Sequence, residues 1–135
     1  MYDINLKQVY KKFPTDESCM IFLETILWNG NPTCPYCKSV NYSKLKDGNR
    51  YHCNTCNTSY SVTVNTIFHR TRCDLQKWFL GIYLIYDLTR EMSARELGDI
   101  LELTKDSAWL MRSKVKSTLK ENELLFLSII EKIKS

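Results

Sequence analysis

The sequence predicts an α+β fold in which a small three-stranded ribbon is joined to an α-helical domain. Three observations point there. Helical periodicity marks both ends of the chain, residues 33–66 lose it, and that middle stretch holds closely paired cysteines. With 135 residues the chain has room for one ordinary domain or two very small ones. Its 44% hydrophobic and 25% charged residues are usual for a soluble globular chain.

The elements follow in order. Leu6, Val9, Tyr10 and Phe13 recur at i, i+3, i+4 and i+7, a short helical stripe that Pro14 interrupts. Thr15 is placed to cap a second helix, with Asp16 and Glu17 in the first turn, where the helix dipole favours negative charge. Cys19, Phe22, Leu23, Ile26 and Leu27 share one face of that helix, and Asn29-Gly30-Asn31-Pro32 ends it. Residues 44–51 read as two strands around an Asp47-Gly48 turn, and Thr58 to Val64 as a third strand. Asp74 is placed to cap a largely apolar, central helix reaching about Thr89. Ser93 and Glu96 form a capping-box pair opening a helix to about Leu101, and Thr104 caps another running to about Lys120. Leu124 to Ile133 makes a last apolar helix.

The expected organisation is N-terminal helices over 1–30, a ribbon over 31–73, a helix-turn-helix domain over 74–120 and a C-terminal helix over 121–135. The longest apolar run, Trp78 to Tyr86, has nine residues, short of the ~18–20 that span a bilayer. The opening MYDINLKQVYKK lacks the apolar stretch of a signal peptide. The expectation is a cytoplasmic protein, off the membrane, whose six cysteines stay reduced.

The ribbon is too polar to hold itself together by burial, so something else must staple it. Cys34-Pro35-Tyr36-Cys37 and Cys53-Asn54-Thr55-Cys56 are two C-x2-C knuckles separated by 15 residues. Each turn aims two sulfurs at one centre, and two turns complete a tetrahedral four-thiolate Zn²⁺ site. With four protein ligands such a site leaves no position for water or substrate, so its role is structural. His52 finds no vacancy, Cys19 belongs to an apolar helix face, and Cys73 lies outside both knuckles. A pair of redox motifs, or chance core cysteines, is the weaker alternative.

Net charge is +4, unevenly spread. Residues 30–73 carry six basic and one acidic side chain, residues 104–120 five and one, and the acidic stretch 74–103 separates them. Such clustering suits nucleic acid, although a solvated basic face is the commoner cause. Residues 94–113 fit the two-helix unit that reads duplex DNA, with Leu97, Leu101, Ala108, Met111 and Val115 facing inward. Gly98, in a helix interior, is explained if the second helix approaches closely there. Thr104, Lys105, Asp106, Leu110, Ser113 and Lys114 are the candidates for the major groove, with Arg112, Lys116 and Lys120 set for phosphates. A plain helical hairpin within a bundle is the competing reading. Trp109 is open between packing and a sugar–phosphate contact, packing being the more frequent use.

The run Phe13-Pro14 with Cys19, Leu27-Trp28-Asn29-Gly30, both knuckles, Tyr60-Ser61-Val62 and Thr66-Ile67-Phe68 resembles the transposase zinc-ribbon family. The likeness continues through Leu75-Gln76-Lys77-Trp78-Phe79 and the Ser93 to Val115 helix pair with Ala108-Trp109, covering about residues 13 to 118. In that family the region opens bacterial insertion-sequence transposases and precedes a nuclease domain with three metal-binding carboxylates. The resemblance implies recognition of the element's terminal inverted repeats. Asn65 stands where the family usually has glycine, and no carboxylate cluster suited to two-metal strand transfer is present in the sequence.

The expectation is therefore a non-enzymatic, zinc-dependent protein binding double-stranded DNA. It acts as a transposase-derived regulator, an accessory factor or the N-terminal region of a transposase. The alternative is a protein-interaction module whose ribbon binds a host or mobile-element protein. The C-terminal helix is apolar over so much of its surface that it either returns to the core or forms a homodimer, and the dimer is slightly favoured.

Overall fold

Local capping signals start the helices where the side chains can satisfy free backbone N–H groups. The computed structural model describes residues 5–46, 49–69, 71, 73–87 and 92–134. Asn5 caps α1 (Leu6–Lys12) in a reciprocal pair with Gln8, and Thr15 caps α2 (Asp16–Trp28) in the same way with Ser18. Asn29 then turns left-handed at φ 53° and Gly30 follows at φ 80°, which stops the helix. The buried face of α2 is narrower than its spacing suggests. Cys19 and Leu23 are fully buried, Phe22 is half-buried, and Ile26 and Leu27 are exposed.

The chain divides into two compact units, Thr15–Arg72 and Met1–Pro14 with Cys73–Ser135. This grouping does not follow chain order: α1 joins the later helices and α2 joins the ribbon.

In the ribbon unit, β1 (Tyr42–Lys44), β2 (Arg50–Cys53) and β3 (Ser59–Ser61) form an antiparallel sheet in the order β1-β2-β3. Tyr42 lies opposite Cys53, and Tyr51 opposite Tyr60. The expected Asp47-Gly48 turn lies outside the described residues. The third strand is shorter than Thr58 to Val64, and the cause is local. The Thr66 hydroxyl donates to the Thr63 carbonyl at 2.6 Å, the Val64 N–H to the Ser61 carbonyl at 3.2 Å, and these side-chain and turn bonds replace the sheet ladder. Asn65 sits there at φ 66°, a left-handed backbone that asparagine tolerates and glycine prefers.

Tyr51, Tyr60, Cys34 and Cys53 make the buried centre beside the sheet, with Trp28 and Val64 packed on it. Trp28 meets Tyr51 and Tyr60 edge-on at 5.7 Å, and the two tyrosines stack at 5.8 Å. The Tyr51 hydroxyl donates to both Glu24 carboxylate oxygens at 3.0 Å, tying α2 to β2. Burial pushes the Glu24 carboxyl up, against the opposing pull of the Tyr51 hydrogen bond and the Lys44 charge.

In the helical unit, α3 (Leu75–Ile82) continues into a π-helical turn, Tyr83–Asp87, so the single α-helix expected from Asp74 onward is not uniform. Its expected end near Thr89 lies outside the described residues. Asp74 holds the N-cap position but makes no side-chain cap bond, because its carboxylate accepts the Tyr10 hydroxyl at 2.9 Å. Phe13 packs edge-on to Phe79 at 5.0 Å, and the buried Gln76 side chain donates to the Phe13 carbonyl at 2.9 Å.

The Ser93 hydroxyl accepts the Glu96 N–H and starts α4 (Ala94–Leu101), and the Thr104 hydroxyl accepts the Ser107 N–H and starts α5 (Lys105–Ser117). Two glycines allow these helices to close on α3 and on each other. A β-carbon on Gly81 would stand 2.5 Å from the Met111 sulfur, and one on Gly98 2.9 Å from the Leu103 carbonyl oxygen. Gly98 thus sits under the turn, as its place in the sequence suggests.

The apolar face of α6 (Glu123–Lys134) is resolved within the chain. Leu125, Phe126, Ile129, Ile130 and Ile133 are buried, with α6 packed on α3 and the π turn. Of the two expected fates of that face, the return to the core accounts for these five residues. Leu124 and Leu127 stay exposed.

Candidate metal centre and basic helix

Both knuckles fold by the same backbone rule. The Cys34 N–H donates to the Ser39 carbonyl and the Lys38 N–H to the Cys34 carbonyl, each at 2.9 Å. Nineteen positions on, the Cys53 N–H donates to the Thr58 carbonyl and the Asn57 N–H to the Cys53 carbonyl, again at 2.9 Å. Lys38 and Asn57, each four residues past the first cysteine of its knuckle, turn left-handed at φ 66° and φ 60°. The two knuckles are therefore a structural repeat that their side chains outside the cysteines do not announce.

The repeat brings all four sulfurs together. Cys34 Sγ lies 3.7 Å from Cys56 Sγ, Cys37 Sγ 3.5 Å from Cys53 Sγ, and all four lie within 4.8 Å of one another. A tetrahedron of sulfurs around an ion at ~2.3 Å has edges of about 3.8 Å, so the spacing fits a four-thiolate metal site. Backbone N–H groups support the sulfurs from outside, Tyr36 N–H to Cys34 at 3.4 Å and Cys56 N–H to Cys53 at 3.5 Å.

The electrostatics ask for a cation. The Cys56 N–H, aided by the Thr55 N–H and the neighbouring thiols against burial, holds the Cys53 thiol down at about 6. Cys37, although the Ser39 backbone favours its thiolate, is pushed up to about 12 by burial and its three sulfur neighbours. Four sulfurs this close cannot all ionise unless a metal ion neutralises them. Cys19 is fully buried and Cys73 half-buried, neither of them in the cluster.

In α5, Ala108, Met111 and Val115 are buried, as are Leu97 and Leu101 of α4. Thr104, Lys105 and Asp106 are exposed at the start of α5, and Leu110 is 51% exposed. Arg112, Ser113, Lys114 and Lys116 are half-buried. The turn between the helices places Glu102 left-handed at φ 57°, where glycine is usual, and the Lys77 ammonium donates to the Glu102 carbonyl at 3.3 Å.

Trp109 departs from the commoner reading as a packing residue, since it is 56% exposed. The signal was in the spacing. Asp106, Trp109, Leu110 and Ser113 stand at i, i+3, i+4 and i+7, on the side of α5 opposite Ala108, Met111 and Val115. Tyr51, Tyr60 and Trp28, which wrap the metal cluster, were also absent from the sequence-predicted site.

Among the described residues no helix is long and apolar enough to cross a membrane. Over 76 residues, 54% of the chain, the sequence is 28% identical to an uncharacterized protein in transposable element ISH50 of Halobacterium salinarum. The matched stretch covers 26% of that relative, so the chain spans about a quarter of its length. No solved structure matches the chain significantly. Residues 14–59 match the family model of the transposase zinc-ribbon domain, which contains both knuckles and the α2 segment that packs on them. Over those residues the chain is similar to the transposase zinc-ribbon domain.

Proposed function

We propose that this protein binds Zn²⁺ through Cys34, Cys37, Cys53 and Cys56 and uses the α4–α5 pair to recognise a specific duplex DNA sequence. The zinc assignment is supported by the all-sulfur, tetrahedrally spaced donor set, which favours zinc over hard cations. The ion holds the ribbon and does no chemistry. The observation that supports the DNA reading is the run of basic side chains along α5, Lys105 exposed and Arg112, Lys114 and Lys116 half-buried, in a chain with a transposase-type ribbon. Thr104, Lys105, Asp106, Leu110, Ser113 and Lys114 face the base edges, with Arg112 and Lys116 toward phosphates. Terminal inverted repeats of a mobile element are the natural target. The protein then serves as a regulator, an accessory factor or the DNA-reading region of a transposase.

A selection from genomic fragments with metal-loaded protein, at about 150 mM salt, tests this. Enrichment of one short inverted repeat is the expected result, with zinc found by elemental analysis at one ion per chain. A folded, metal-loaded protein that enriches nothing would sink it. A second reading, a ribbon that docks on another protein, draws support from exposed Tyr36, Val40 and Tyr42. Salt separates the two, because phosphate contacts weaken steeply as it rises.

A further inference from the structure

We propose that Trp109 and Leu110 form an apolar reading edge on α5 that packs against thymine methyl groups in the major groove. The inference rests on the DNA reading above and adds the base class that the helix prefers. Two large apolar side chains, both more than half exposed, stand side by side at the crest of a helix whose opposite face is fully packed. Alone, two exposed apolar side chains decide nothing, and it is their place between basic flanks that points to an occupant. The charges around the pair name the occupant. Lys105 and Lys116 lie on one flank of the crest and Lys114 on the other, an arrangement matching the phosphate rows that border a major groove. Within that groove, the thymine C5 methyl is the apolar group presented by the bases. Asp106 and Ser113 extend the same stripe and supply polar reach to neighbouring base edges.

The test does not depend on the target sequence, since a short alternating dA–dT duplex offers thymine methyls in every register. Its dA–dU counterpart lacks only those methyls. Metal-loaded protein should bind the dA–dT duplex more tightly by about fourfold for each methyl withdrawn from water. Trp109→Ala and Leu110→Ala should each shrink that preference while keeping the wild-type melting temperature and salt slope. Equal binding of both duplexes by wild type would overturn the methyl contact. A preference that survives in both variants would move the reading edge elsewhere. Loss of self-association in the variants, with DNA binding intact, would make the pair a contact between copies. Failure of the folded wild type to bind any duplex at low salt would remove the DNA reading itself.

Discussion

Phe79, Leu80, Ile82, Leu84 and Phe126 in the helical unit are withdrawn from water by other hydrocarbon side chains. In the ribbon unit, the buried centre beside the sheet is two tyrosines and two of the four metal-site cysteines. The first unit is organised by the hydrophobic effect acting on amphipathic helices, which is diffuse and tolerant of single losses. The second concentrates its stability in one point where four sulfurs meet. Aromatic rings pack on its inner side, where Cys34 and Cys53 are buried, while Cys37 and Cys56 are exposed, so half of the cysteine cluster belongs to the ribbon's core.

The largest expected effect separates the behaviour of the two units. Removing the ion with a chelator forfeits a metal-binding term of roughly 10–16 kcal/mol in the four-ligand case, and Cys53→Ser, which leaves three thiolates, forfeits part of it. Amides in the sheet and knuckles should lose hydrogen-exchange protection while those of α3, α4 and α5 keep theirs. Collapse of both sets together would show that the helical unit depends on the ion. Acid has the same effect by the same route: protons compete for the thiolates, so metal affinity falls as pH falls.

Gly98→Ala probes the helical unit where backbone meets backbone. The added methyl meets the Leu103 carbonyl oxygen at 2.9 Å, and the turn must shift to accept it. Overpacking costs about 1–3 kcal/mol, and helix propensity returns about 1, leaving a net loss of up to about 2 kcal/mol, read as a lower Tm with metal content unchanged. An unchanged or raised Tm would mean the α4–α5 turn is freer than its geometry implies.

The stacked tyrosines sharpen the contrast within the ribbon, because the same substitution should act with opposite sign. Tyr51→Phe loses the hydroxyl shared between both Glu24 oxygens and should destabilise by about 1–2 kcal/mol. The buried Tyr60 hydroxyl has no hydrogen-bond partner among the described residues, so Tyr60→Phe should be neutral or stabilising by up to about 1 kcal/mol. Chemical denaturation of the metal-loaded variants reads both, and equal losses would show that Tyr60 is satisfied in solution. The smallest effect compares the knuckles. Lys38 holds a left-handed conformation that Asn57 tolerates better, so Lys38→Gly should stabilise by about 1 kcal/mol at most.

What was legible in the sequence shares one property, that its cause lies within a few residues. Thr15, Ser93 and Thr104 cap helices because a hydroxyl reaches a backbone N–H three positions on. The two C-x2-C turns point their own sulfurs inward, and their pairing into one cluster followed from spacing and polarity. Gly98 was legible for the same reason, as an awkward residue one turn before a tight connection.

The tertiary structure decided whatever depended on a distant partner. Asp74 looks like a cap, yet Tyr10, 64 residues earlier, claims its carboxylate. The apolar residues of 124–133 left open a return to the core or a second chain, and Leu125, Phe126, Ile129, Ile130 and Ile133 are buried in a helix that packs on α3 and the π turn. The single strand expected over Thr58 to Val64 is likewise cut short at Ser61, where turn bonds take over from the ladder. Apolar area sets how much surface a segment must bury, so sequence determines the demand. The supply is another segment, brought up by the whole chain, and which face it meets is settled only when all elements compete for the same space.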